Sequence, residues 1–215
     1  MSSGSDKVVA LRRLLDERFP AAHPRESRLI PTGVPAVDEL LAGGLVTGTL
    51  TEFVSAVASG GNQVTLGTLL LSTRLARQRV ALVDVAQSFD LTGLDDDAVA
   101  HVVWVRCATL NETWRAADLV ARDPNYAVVV IDVRGLPERE LLRTKDSVWV
   151  RLQRAAEHTE TAVVVQTTTP LVPNAAMRLT FAQPLDGRTL TQPRLEVIHG
   201  LAPTLHRSRQ RARTA

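Results

Sequence analysis

The sequence predicts an α/β domain built on a mostly parallel sheet. Three observations carry this. The segment Ala127-Val128-Val129-Val130-Ile131 is an almost unbroken apolar run, as is Ala162-Val163-Val164-Val165. Runs of that kind suit central parallel strands covered on both faces. Segments with helical periodicity lie between the strand-like runs, and that alternation builds a parallel sheet flanked by helices.

Taken in chain order, residues 6–18 read as a short amphipathic helix. Val9, Leu11, Leu14 and Leu15 form one stripe, with Arg12, Arg13, Asp16 and Glu17 elsewhere. Pro20 and Pro24 make residues 19–27 an extended linker, which sets the helix apart as an arm. From Leu29 onward strands and helices alternate. A short helix over 37–41 ends at Gly43-Gly44, and a strand follows over 49–54. A helix over 62–78 presents Leu66, Leu69, Leu70 and Leu75 on its inner face. Strands are predicted over 80–85 and 102–105, a helix over 110–121 and a strand over 127–133. A long helix over 138–157 leads to a strand over 162–166. Segments 178–182 and 194–198 read as terminal antiparallel strands. The organisation is therefore an arm and linker over 1–28, a core over 29–200 and a basic tail over 201–215.

Composition bounds the function. The chain has 215 residues, with 45% hydrophobic and 22% charged, which supplies a core and excludes global disorder. No apolar run approaches the roughly 20 residues that span a bilayer. The first residues carry neither a basic region nor an apolar stretch, so no secretory signal is expected. A single cysteine, Cys107, excludes an internal disulfide framework and a cysteine-rich zinc site, and fits a reducing cytoplasm. The net charge is +2, yet Arg207, Arg209, Arg211 and Arg213 alone contribute four positive charges. The remainder holds 21 basic and 23 acidic residues, so the basic character belongs to the tail. Such a tail can contact nucleic acid or an acidic partner, against the plainer reading of a solvated end.

Chemistry in such sheets gathers at the carboxyl ends of the strands. The loop from Ser55 to Gln63 follows a strand and opens a helix, the place of a phosphate loop. A working loop reads Gly-x-x-x-x-Gly-Lys-Ser/Thr. Here Gly60 keeps one glycine, while Ser55 replaces the first glycine, Gly61 the lysine and Asn62 the Ser/Thr. The lost lysine is the cation on the β/γ-phosphates and the lost hydroxyl is the Mg²⁺ ligand. The loop, including Ser59, therefore reads as a vestigial turn, although backbone N–H groups at the helix start retain some capacity for an anion. Asp132 ends a buried strand in the manner of a Walker B carboxylate; without its partners it is expected to cap the next turn or to bond the loop at 59–62. His23, His101, His158, His199 and His206 show no metal spacing. Asp95-Asp96-Asp97 reads as a helix start rather than a cation site. Trp104, Trp114 and Trp149 read as core or interface anchors, because aromatics total only 4%.

The stretch Leu29-Ile30-Pro31-Thr32-Gly33, followed by Val37-Asp38-Glu39-Leu40-Leu41 and Gly43-Gly44, resembles the opening of the RecA superfamily core. Its continuation, Gly48-Thr49-Leu50-Thr51-Glu52-Phe53, is more similar to ImuA proteins, RecA-like accessory factors of bacterial translesion synthesis. The resemblance implies a RecA-like core from Leu29 to about Gly200, specific over the first 25 residues and diffuse beyond. Where the family places its catalytic glutamate, two residues after Asp84, this chain has Ala86. Gln166 matches the glutamine that ends the family's sensing strand. The segments after Asp132 and Gln166 are short beside the family's DNA loops.

The resemblance implies a non-catalytic adaptor in SOS-induced mutagenesis, without a cofactor. Its implied partners are RecA, an ImuB-type relative of Y-family polymerases and an error-prone DnaE-type polymerase. A RecA-type ATPase with an unusual site and a SulA-like inhibitor of cell division are the alternatives. Phe19-Pro20-Ala21-Ala22 stands where RecA-like recombinases join neighbours, through Phe-x-x-Ala in one branch. Leu11, Leu14, Leu15, Phe19 and Ala22 are thus the expected partner-binding residues, for self-association or for RecA. Phe19 packing within its own chain is the plainer alternative. The expected location is the cytoplasm, at the nucleoid when engaged.

Overall fold

The computed structural model describes residues 27–208, apart from 58, 86, 88, 91 and 92. The arm and Arg209, Arg211 and Arg213 lie outside the described residues.

A two-stranded antiparallel ribbon, β1 (Leu29–Ile30) with β2 (Leu45–Val46), brackets helix α1 (Pro35–Leu40). Asp38 explains the opening signature. Its carboxylate accepts from Thr32 N (2.7 Å), Thr32 Oγ1 (2.8 Å) and Gly33 N (3.0 Å), tying helix to turn.

The main sheet has seven strands in the order β5-β4-β6-β7-β3-β8-β9. They are β3 (Leu50–Val54), β4 (Arg79–Asp84), β5 (Val102–Arg106), β6 (Tyr126–Asp132), β7 (Ala162–Thr167), β8 (Met177–Thr180) and β9 (Thr204–Ser208). All neighbours pair in parallel except β8 and β9, which are antiparallel. The parallel crossovers carry α2 (Asn62–Leu75), α3 (Asp96–Val99), α4 (Leu110–Ala121), α5 (Glu138–Leu141) and α6 (Asp146–Thr159); α7 (Arg194–His199) precedes β9.

The apolar runs divide their residues between two cores. Val128 and Val130 of β6 face a cluster with Leu66, Leu69 and Leu70 of α2. Val129 and Ile131 face the opposite cluster, with Trp114 and Ala117 of α4 and Leu152 of α6. Alternate residues thus serve opposite faces, as strand geometry requires. Trp114 and Trp149 meet edge to face at 4.9 Å between centroids, anchoring α4 to α6. Trp104 is half-buried and meets Phe89 edge to face at 5.5 Å, with Arg106 over its ring. Asp95 caps α3 by accepting from Ala98 N at 2.8 Å, as the acidic run suggests.

Four expectations are corrected. Leu75, the last residue of α2, is 86% exposed and so not on its inner face. The long helix over 138–157 is two helices. Bonds from Arg143 N to Glu140 O and from Thr144 N to Leu141 O tighten the end of α5, and Lys145 is extended. Residues 194–198 are helical: Val197 N donates to Pro193 O and Gly200 N to Glu196 O, the i to i−4 bonds of a helix. The antiparallel strand is instead β9, and β8 runs parallel to β3. The sheet therefore continues past residue 200 and takes in Arg207, whose register partner is Arg178.

Candidate functional site

The carboxyl ends of β4, β6 and β7 place three polar residues in one row. Asp84 is register partner of Asp132, and Asp132 of Gln166. All three are buried. Gln166 is also the partner of Phe53 on β3, which leads into the candidate loop. The structure thus sets Asp132 and Gln166 in one row, with Gln166 beside the strand that leads into the loop.

Ser55 turns inward. Its N–H donates to Thr167 O (2.9 Å) and its hydroxyl to Val57 O (2.8 Å), so the loop leaves β3 already closed on itself. Gly60 N donates to Val57 O at 3.3 Å. Gly61 is the N-cap of α2 with φ +95°, a left-handed conformation that suits glycine. Its carbonyl accepts from Thr65 N and Thr65 Oγ1, both at 2.9 Å. Asn62 opens the helix, 2% exposed, and neither atom of its amide has a partner within the described residues. The side-chain oxygen of Gln166, Oε1, is unpartnered in the same sense.

Asp132 has a partner that sequence reasoning missed. Its carboxylate accepts from Arg134 N (3.1 Å), Arg134 Nε (2.9 Å) and Arg134 Nη2 (2.5 Å). The Arg134 side chain is 14% exposed and that of Asp132 fully buried. The carboxylate caps the following turn, as expected, and also holds a guanidinium in bidentate fashion. Asp84 accepts from Gln87 N at 2.7 Å and closes the turn after β4.

The chain itself covers the loop. Leu185 N donates to Ser59 O at 2.9 Å. A methyl group at Gly60 would stand 2.9 Å from Phe181 O, and one at Gly61 would overlap Leu201 Cδ2. A cleft of about 300 Å³ remains beside the loop, lined by Gly60, Phe181, Gln183, Asp186, Glu196 and Leu201. Hydrogen bonds from Thr189 hold the Asp186 carboxyl below its ordinary range.

A RecA-like fold implies a Mg²⁺-nucleotide at this loop, and the residues present do not fit one. A Cβ at position 61 would overlap Leu201 Cδ2, so a lysine there requires the leucine to move, and Arg134 already supplies the cation facing Asp132.

Order and direction of strands, with a loop and helix after β3, define a RecA-like α/β core. No protein-family model matches the chain. It is similar to the DNA repair protein RAD51 of Saccharomyces cerevisiae, 31% identical over 133 residues. That match takes in 51% of this chain and 32% of the yeast protein, so the chain spans about a third of that relative's length.

Arg134 and Leu201 were legible only in part. An arginine two residues after Asp132 is a sequence signal; the return of Leu201 to Gly61 across 140 residues of chain is not. Leu11, Leu14, Leu15, Phe19 and Ala22 lie outside the described residues. Among the described residues, no helix is long and apolar enough to cross a membrane.

Proposed function

We propose that this protein is a non-catalytic RecA-like adaptor in DNA-damage-induced mutagenesis, acting with RecA and an ImuB-type polymerase relative. The observation that carries the reading is the bidentate Asp132–Arg134 pair. A metal ion at this carboxylate would have to displace a guanidinium that is itself largely buried, leaving that cation without its partner. Gly61, Asn62 and Ala86, in place of lysine, hydroxyl and glutamate, act in the same direction. The ImuA-like segment from Leu29 to Phe53 and the similarity to a DNA repair protein support the setting. With the nucleotide chemistry gone, the fold contributes surfaces: the arm with Leu11, Leu14, Leu15 and Phe19, and the basic segment after β9. Work of this kind places the protein in the cytoplasm, at the nucleoid when engaged.

The test is a binding measurement between the full chain and purified RecA and ImuB-type protein. Saturable binding to either supports the adaptor reading, and absence of binding to both overturns it. Selective binding to the tubulin-like division protein would instead favour a SulA-like role.

A further inference from the structure

The misfit between this loop and a nucleotide has a physical source within the chain. We infer that residues 181–202 form an intramolecular plug that replaces the nucleotide on the loop, so that the loop is held closed without a ligand. The inference rests on the non-catalytic reading above and assigns what closes that site.

Four contacts fasten the plug, and three of them fall on glycines. The carbonyl of Phe181 lies against Gly60, at a separation that leaves no room for a Cβ. Leu185 donates its backbone N–H to Ser59 O. Arg194 crosses α2 where Gly67 allows it: a methyl group there would stand 2.5 Å from Arg194 Nη1, and Nη2 donates to Gly93 O at 3.2 Å. Leu201, 5% exposed, seats its side chain on Gly61 and belongs to the same core as Leu66 and Leu69. A phosphate loop presents N–H groups to its ligand, so it needs an open face over the helix start. Here an apolar side chain covers the position at which the superfamily pattern calls for lysine.

The plug also accounts for the glycine at position 61 better than simple decay does. Loss of lysine alone leaves a choice of residues, but Leu201 together with φ +95° favours glycine. Loop and plug therefore fit as a matched pair. The fold is fixed in one arrangement, and any partner meets the same surface whether or not ATP is present.

The inference is tested on the full chain with a fluorescent N-methylanthraniloyl ATP, by anisotropy, in three variants. Gly61→Lys/Asn62→Thr restores the loop residues and is expected to remain without binding. Adding Leu201→Ala to that pair is expected to give saturable binding; Leu201→Ala alone is expected to give none. Equal binding by the double and triple variants overturns the plug, and so does a folded triple variant that binds nothing. Where the loop variants fail to fold, hydrogen exchange on Leu201→Ala and on Arg194→Ala reads the same contact. Amides of 59–63 should lose protection by about tenfold or more while those of β6 and β7 stay unchanged. Unchanged protection in both variants overturns the inference. Failure of the wild-type chain to bind RecA or ImuB-type protein would remove the adaptor role and leave the plug standing.

Discussion

Glu52 and Arg178 are register partners on the adjacent parallel strands β3 and β8, and their side chains form an ion pair at 2.5 Å. The Glu52 side chain is fully buried and that of Arg178 is 17% exposed. The other carboxylate oxygen accepts from Leu171 N (2.6 Å), Val172 N (3.1 Å) and Thr167 Oγ1 (3.2 Å), while Arg178 Nη2 donates to Val172 O (2.7 Å). One charge pair thereby clamps the connection from β7 to β8.

Removing one member of such a pair leaves a buried charge uncompensated, which costs about 3–5 kcal/mol. Arg178→Met should therefore lower unfolding free energy by about that amount, measured in urea. Arg178→Met combined with Glu52→Gln should lose less than Arg178→Met alone. Equal losses would show that the pair's charges matter less than its shape.

ATP turnover should be absent. Each lost group that stabilises charge in the transition state removes at least ~10²-fold in rate, and lysine, hydroxyl and glutamate are all replaced. A steady-state assay with Mg²⁺-ATP, with and without single-stranded DNA, should remain at background. Turnover that Asp132→Ala abolishes would sink the non-catalytic reading.

Acid should weaken the fold through His101. Burial, and to a smaller extent the Arg74 charge, push its pKa below the ordinary histidine value, against a raising contribution from Asp97. Nε2 lies 2.9 Å from Thr73 Oγ1, and Nδ1 is buried without a partner. Thr73 Oγ1 also lies against the Leu69 and Leu70 carbonyls, at 2.9 and 3.0 Å, so the imidazole sits in a crowded, largely dry niche in which a second proton is costly. Because the unfolded chain binds that proton at higher pH than the folded chain, the unfolded state holds more protons between the two pKa values. Stability should be fully present above about pH 6.5 and fall as pH drops toward the lower, folded value. His101→Gln should flatten this part of a stability–pH curve, and an unchanged slope would assign it to other groups.

DNA contact should follow the basic segment. A truncation that preserves β9 must begin after Ser208, which removes Arg209, Arg211 and Arg213. If each neutralises one phosphate of a single strand, log K against log salt has a slope of about −2 from these three. Truncation should abolish binding. Unchanged affinity would move the contact to the sheet and its helices.

The arm should carry association. Burying one Phe contributes about 1.5–3 kcal/mol, too little for a stable complex, so Leu11, Leu14 and Leu15 must add to it. Phe19→Glu is expected to weaken self-association or RecA binding and leave the melting temperature nearly unchanged. A large fall in melting temperature with association intact would place Phe19 in its own core.

The parallel sheet was legible because β6 and β7 are apolar on both faces, a pattern with few other uses. The loop after β3 was legible from its place between strand and helix, and Asp132 from its position at the end of an apolar run. The strand pattern misled at 194–198, where Leu195 and Val197 alternate with Arg194 and Glu196 in a helix only six residues long. Over so few residues the two periods differ little, so the pattern alone does not separate them. Glu52 was quoted only as part of a motif. A carboxylate inside Leu-Thr-Glu-Phe-Val signals a buried partner, but nothing local names Arg178, which lies 126 residues away.

The two-faced character of β6 leaves its alignment with its neighbours underdetermined by hydrophobicity. Sliding Val128 to Ile131 by one residue would exchange one apolar side chain for another on each face, at little loss of buried area. The strand ends remove that freedom. A slip in one direction would draw Asp132 and its ion-paired Arg134 in between two apolar layers; its row-mates Asp84 and Gln166 act likewise on β4 and β7. Asp84, Asp132 and Gln166 thus serve as stops that index the sheet, a role that needs no chemistry at the row.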